Sequence, residues 1–211
     1  IVIYAGSLVN PALLDGLRST IYDSASMNLD EIIAVMAEAA RQKKAVVRLH
    51  TGDTSFYSAI SEQIERLRAL GIAFEVIPGV SSAMAGVAAL GQELTIPEVS
   101  QTVIFTRAEG RTPVPAGEGL GDLARHRASI VVFLSVGLID KVVNDLREGY
   151  PDDTPVVVVE KASWPEQRIV RGSLKDIAAK VKEADIKKTA LIYVGEALRA
   201  SVDSLGKESL L

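Results

Sequence analysis

Through the first half of the chain, short apolar runs alternate with longer amphipathic stretches, and this alternation limits the fold more than any other feature. Ile1–Ala5 reads as a strand followed by a Gly-Ser turn. Ala45–Leu49 reads as a second strand, apolar almost throughout, which predicts cover on both faces. Phe74–Ile77 reads as a third, closed by Pro78-Gly79. Helical patterns lie between and after them. Asn10-Pro11 starts a short helix, because proline fits a first helical turn. Asn28 or Asp30 caps Leu29–Gln42, whose Ile32, Ile33, Met36 and Ala40 share a face. In Ser58–Leu70, the residues Ile60, Ile64, Leu67 and Leu70 repeat near the helical period, and Gly71 ends the run. Ser81–Leu90 is an alanine-rich helix. Strand and helix in alternation predict a parallel sheet with right-handed crossovers.

The pattern breaks near Glu93–Gln101, and a linker is placed at residues 96–101. Beyond it, Thr102–Thr106, Ser129–Leu134, Pro155–Glu160, Arg168–Arg171 and Thr189–Val194 read as strands, with helices Gly121–Arg127, Leu138–Glu148 and Leu174–Ala184. Pro155–Glu160 and Arg168–Arg171 have only a short loop between them, which predicts a hairpin and therefore a mixed sheet. The expected fold class is α/β, with a mostly parallel N-terminal domain at residues 1–95, a mixed-sheet C-terminal domain at 102–200 and a tail at 201–211.

Composition narrows the function. Hydrophobic residues make up 48% of the 211 and charged residues 24%, an ordinary globular balance. The net charge of −4 gives no basic footprint for nucleic acid. The absence of cysteine excludes disulfides and thiolate metal sites, and two histidines far apart in sequence make a poor metal centre. No apolar run is long enough to span a bilayer and no signal peptide is recognisable, so a cytoplasmic protein with no membrane or nucleic-acid partner is expected. Ile1 opens directly on a core strand pattern, and a preceding segment is expected.

In parallel α/β sheets, ligands gather beyond the carboxyl ends of the strands. Thr51-Gly52-Asp53 and Pro78-Gly79-Val80-Ser81-Ser82 both lie at such ends. Gly52 admits close backbone approach, and Asp53 either caps the following helix or accepts from a ligand. Ser81 and Ser82 open a helix whose dipole favours polar or anionic groups. In Thr106–Pro115, Arg107 and Arg111 flank Glu109-Gly110, and arginine forks suit carboxylates; an Arg–Glu pair in a solvated loop is the alternative. The glycines of Gly117–Asp122 follow no strand and miss dinucleotide spacing. His50 is a packed histidine or a base, and Trp164 is packing or a ligand wall.

Together these segments resemble the tetrapyrrole (corrin/porphyrin) methylases, S-adenosylmethionine-dependent enzymes of cobalamin and sirohaem synthesis. The family's strand-end "GD" turn, "PG(V/I)(S/T)" helix opening, central "TR" strand and late "E-x-(A/G)-(S/T)" turn read here as Thr51-Gly52-Asp53, Pro78-Gly79-Val80-Ser81-Ser82, Thr106-Arg107 and Glu160-Lys161-Ala162-Ser163. "YAGSLVNPALL", "VVRLHTGD", "ELTIPEVSQTVIFTRAEGRTPVP" and "ASWPEQRIVRGSL" look like the branch that methylates C11 of a corrin precursor. The resemblance implies two α/β domains with S-adenosylmethionine in a cleft between them, a tetrapyrrole substrate and a homodimer. It puts cofactor contacts on Gly52, Asp53, Phe56, Ser81, Ser82, Ser135 and Ala162. Arg107 and Arg111 are expected to grip the substrate's carboxylate arms, and Glu109 or His50 to act as base. Three departures stand out. The family's opening strand and "G-x-G-P-G-D" loop are absent, Thr54 stands where proline is commoner, and Ser58 where the branch usually has glycine. Rival readings are another tetrapyrrole methylase, a nicotinamide-dependent oxidoreductase and a non-catalytic binding module.

Overall fold

The computed structural model describes residues 1–199. Two compact units divide between Ser82 and Ala83. In the first, β1 (Val2–Tyr4), β2 (Ile21–Asp23) and β3 (Val47–Leu49) form a parallel sheet in the order β2-β1-β3. Helix α1 (Leu29–Arg41) starts at a capping box: Glu31 N donates to Asn28 Oδ1 (2.9 Å) and Asn28 N to Glu31 Oε2 (2.8 Å). That settles the cap on Asn28, not Asp30. Its inner face, Ile32, Ile33 and Met36, packs with Ile3 and with Leu67 of α2 (Ile60–Ala69). Ala39 is buried on this face in place of the expected Ala40.

Two expectations fail in this unit. Phe74–Ile77 forms no strand: it pairs with no ladder, and Phe74, Val76 and Ile77 stay 39%, 44% and 67% exposed. An apolar run becomes a strand only where a neighbouring edge supplies hydrogen bonds. Nor is β3 covered on both faces. It is hydrogen-bonded along one edge only, to β1, and Val47 is 52% exposed. Residues of β3 and of 72–79 line a common cavity of about 660 Å³.

The chain enters the second unit within α3 (Ser82–Leu90). Strands β4 (Val103–Arg107), β5 (Ser129–Phe133), β6 (Pro155–Glu160), β7 (Arg168–Ser173) and β8 (Ala190–Val194) make a mixed sheet ordered β4-β5-β8-β6-β7. β4 and β5 are parallel, and β6 and β7 form the expected hairpin. Successive side chains alternate between faces. Ile130, Val132, Val156, Val158 and Ile192 pack under α5 (Ile139–Leu146) and α6 (Ile177–Glu183), with α4 (Leu120–Ala124) beside them. Val131, Phe133, Val157, Val159, Leu191 and Tyr193 face the opposite way, onto Ala83 and Leu90 of α3. Residues 96–101, expected as a linker, form a closed turn in which Ile96 N donates to Ser100 O (2.8 Å). The expected tail at 201–211 lies outside the described residues. Among the described residues, no helix is long and apolar enough to cross a membrane.

Tyr193 sets how closely α3 approaches this sheet. Its buried hydroxyl donates to Ala83 O (3.0 Å), and a Cβ on Gly86 would lie 1.9 Å from that oxygen. Alanine in a helix interior ordinarily gains about 1 kcal/mol over glycine. Here overpacking outweighs that gain: Gly86→Ala should cost about 2 kcal/mol net in denaturant unfolding, and Tyr193→Phe in the same chain should recover part of the loss.

Candidate functional site

The first cluster forms where two turns of the first unit meet. After β3 the chain turns at Gly52, with φ +64°. The Asp53 carboxylate then accepts two backbone hydrogen bonds, Oδ1 from Ser55 N (2.8 Å) and Oδ2 from Gly79 N (2.8 Å). Gly79 has to be glycine, because a Cβ there would lie 2.0 Å from Gly52 O. A Cβ on Gly52 would come within 3.4 Å of Ser82 N and 3.8 Å of Ser81 Cα. Gly52, Asp53, Ser81 and Ser82 therefore converge, and Phe56 joins them through its N–H to Asp53 O (3.3 Å), its ring 38% exposed. Asp53 does not cap α2, whose N-cap residue is Ala59. It ties one turn to the other. The hydrogen bonds from Ser55, then from Gly79, hold its carboxyl below the ordinary 3.8.

The two departures within this turn meet each other. The Ser58 hydroxyl donates to Thr54 O, closing the loop from its own side. His50, at the end of β3, lines the cavity described above; its Nε2 is buried without a hydrogen-bond partner among the described residues. Burial, and next the charge of Arg48, push its pKa below 6.5, so the ring is neutral at pH 7.

The second cluster forms at the carboxyl ends of β4 and β5, in the second unit. Ser135 is buried, and its hydroxyl accepts from Ala108 N (2.8 Å) and donates to Phe133 O (2.6 Å). That hydroxyl pins the loop that follows β4 and is already engaged on both sides. Arg107 turns onto the same loop: Nη1 donates to Thr112 O (3.0 Å) and Nη2 to Pro113 O (2.8 Å). Glu109 and Arg111 stand exposed between these anchors. A local Arg–Glu pair, the alternative read from the sequence, does not form among the described residues.

In the turn between β6 and β7, Lys161 and Ser163 both take positive φ (48° and 71°). The turn is held by Lys161 N to Thr189 O (2.8 Å), Ser163 N to Gln167 Oε1 (2.9 Å) and the ion pair of Glu160 with Arg168 (2.6 Å). Ala162 packs against the face of the sheet that carries Val131 and Tyr193. Trp164 carries the Lys161 ammonium 5.6 Å from its ring centroid. Sequence reasoning missed two things here: the dependence of the Asp53 turn on Gly79, and the inward direction of Arg107. The Pro-Gly dipeptide signals the first; no local signal exists for the second.

Residues 1–178 match the pattern of the tetrapyrrole (corrin/porphyrin) methylases. The cobalt-precorrin-4 C(11)-methyltransferase of Methanocaldococcus jannaschii is 60% identical over 201 residues, which are 94% of this chain and 78% of that one. The X-ray structure of a cobalamin biosynthetic enzyme, cobalt precorrin-4 methyltransferase, superposes with a TM-score of 0.90 at 46% identity, covering 93% of this chain and 84% of that one. Uroporphyrin-III C-methyl transferase from Thermus thermophilus, complexed with S-adenosyl homocysteine, gives 0.75 at 27% identity over 94% and 86%.

The depressed Asp53 carboxyl makes a pH signature. A carboxylate favoured in the fold stabilises it above the unfolded pKa, and that stabilisation is lost as pH falls through the folded value. Asp53→Asn should melt below the wild type at pH 7, because one amide oxygen replaces two carboxylate oxygens as acceptor. The gap should close as the pH is lowered below 3.8 and through the depressed folded value, read from melting temperatures across pH.

Proposed function

Because the chain belongs to the tetrapyrrole (corrin/porphyrin) methylases, we propose that it transfers a methyl group to C11 of precorrin-4 or cobalt-precorrin-4 in corrin ring synthesis. It is an S-adenosylmethionine-dependent C-methyltransferase. One observation carries the reading: likeness to cobalt-precorrin-4 C(11)-methyltransferase over nearly the whole chain, in sequence and in backbone. The "AEGRTP" loop, Ala108–Pro113, supports this ring position over its sirohaem rival.

The residues of the first cluster suit the cofactor. Gly52 takes a left-handed conformation and Gly79 leaves no room for a side chain, so the turn presents backbone there; the Asp53 carboxylate rims the turn, and Phe56 is partly exposed. When bound, S-adenosylmethionine supplies a methyl group activated on a sulfonium. The protein's work is alignment, bringing acceptor carbon and methyl to about 3–3.5 Å in line. The residues proposed to hold the cofactor are Gly52, Asp53, Phe56, Ser81, Ser82, Ser135 and Ala162. Ser135 would act through its backbone, since its hydroxyl is engaged. Arg111, exposed and without an ion-pair partner among the described residues, is proposed to hold a carboxylate arm of the tetrapyrrole. His50, neutral at pH 7, or the exposed Glu109 is proposed to take up a proton after attack. A cytoplasmic homodimer without a membrane partner completes the proposal, and the net charge of −4 is in keeping with the lack of a nucleic-acid partner.

The test is incubation of the full-length protein with S-adenosylmethionine and each form of the substrate, followed by mass spectrometry. The expected result is a gain of one methyl group on one of them, with the position assigned as C11 by NMR. Binding of S-adenosylhomocysteine with no methyl gain on either would reject the ring position. Arg111→Ala should raise the substrate KM about tenfold, the loss of one charged hydrogen bond, and leave S-adenosylhomocysteine affinity nearly unchanged.

A further inference from the structure

We infer that Arg107 is a positioning residue: its guanidinium clips the loop after β4 so that Arg111 is held out, preformed, for an anionic arm of the substrate. This deepens the function proposed above and rests on it for the identity of the substrate.

The loop runs from Ala108 to Gly119, between β4 and α4. A segment of that length with no secondary structure of its own samples many conformations unless it is tied down. It is tied down twice near its start. The first tie is the Ser135 hydroxyl on Ala108 N (2.8 Å). The second is Arg107, whose two terminal nitrogens reach Thr112 O (3.0 Å) and Pro113 O (2.8 Å), with a longer contact from Nη1 to Ala108 O (3.4 Å). Glu109, Gly110 and Arg111 lie between the two ties. Gly110 approaches the Leu138 side chain, and a Cβ there would lie 3.6 Å from Leu138 Cδ1. Arg111 is thus exposed on a short, doubly anchored bridge and not at the tip of a free loop.

The chemistry of the clip explains why arginine stands at 107. One planar fork bonds two successive carbonyls, which an ammonium does less well. Arg107 is also the last residue of β4, in register with Phe133 of β5, so its backbone is fixed by the sheet. Ordering Arg111 before the ligand arrives removes an entropic cost from binding. Two arginines that gripped two carboxylates directly would act independently. A clip acts only through the residue it presents.

That difference is measurable in the full-length protein. Arg107→Met keeps an unbranched, apolar stem and removes the guanidinium donors. Trypsin should then cut the Arg111–Thr112 bond about tenfold faster than in the wild type, read by mass spectrometry of the fragments. The substrate KM should rise about tenfold, with kcat and S-adenosylhomocysteine affinity within about twofold of wild type. In an Arg111→Ala background, Arg107→Met should change KM by less than about twofold, since the two residues share one effect. Arg107→Lys should be cut faster than wild type although it keeps the charge. Wild-type cleavage rates in both Arg107 variants, with KM effects that multiply in the double variant, would overturn the clip and make Arg107 a direct ligand. Absence of methyl transfer by the wild-type protein would overturn the substrate reading and the role given to Arg111, while the cleavage rates would still decide whether Arg107 holds the loop.

Discussion

The junction of two turns in the first unit depends on one hydrogen bond between residues far apart in sequence, from Gly79 N to the Asp53 carboxylate. Around it two turns lie backbone against backbone. Gly79 leaves no room for a side chain, Gly52 adopts a left-handed conformation, and the carboxylate's second oxygen closes its own turn on Ser55 N. A carboxylate that accepts from two backbone N–H groups is held ionised and fixed in direction. This is why the β3 strand stops in Thr-Gly-Asp: the glycine lets the turns touch, and the aspartate holds them together. Ser82, three residues after Gly79, is the first residue of α3.

The second unit uses hydroxyl groups where the first uses a carboxylate. Its sheet is buried on both faces through β5 and β8, which makes it the rigid part of the unit. Loops attach at the ends of β5. The Ser129 hydroxyl donates to Leu94 O (2.6 Å) at one end, and the Ser135 hydroxyl meets Ala108 N at the other. The Tyr193 hydroxyl holds α3 in the same manner. Buried hydroxyls satisfied on backbone atoms fix loops without bringing a charge into the core. Rigid strands carrying pinned loops are a common basis for placing ligand-facing groups accurately.

Some of this was legible in the sequence. The sequence put the cap of α1 at Asn28 or Asp30, and the structure places it at Asn28. The short connection between Pro155–Glu160 and Arg168–Arg171 signalled an antiparallel hairpin, and the sheet is mixed as expected. Phe74–Ile77 shows where local pattern stops being informative. Its apolar, β-prone residues satisfy every local criterion for a strand, but a strand is a pairing, and no described edge pairs with it. Asp53 offered two local readings, helix cap or ligand contact. The tie to Gly79 was neither, because it joins positions 26 apart and no local pattern encodes that pairing. The direction of Arg107 has the same character: residue type and spacing fit an anion grip and a loop clip equally well, and only the carbonyls of Thr112 and Pro113 separate the two.

One consequence is a division of labour inside the motifs themselves. Asp53, Gly79, Ser135 and Arg107 each direct their polar or backbone groups at the protein, and each is engaged by a neighbouring turn or loop. The exposed side chains nearby are different ones, Glu109 and Arg111 next to Arg107. A turn that has to hold a shape needs short-range bonds that leave few conformations, whereas a group that meets a ligand has to keep its own bonding capacity unused. A carboxylate such as that of Asp53 keeps lone pairs beyond its two backbone bonds and can meet both demands, whereas the Arg107 fork is committed to the loop. The residues that make a motif recognisable therefore tend to be the ones that build the turn, and specificity falls to the exposed positions between them. Substitution at Asp53 or Arg107 should therefore be judged first by what it does to a turn.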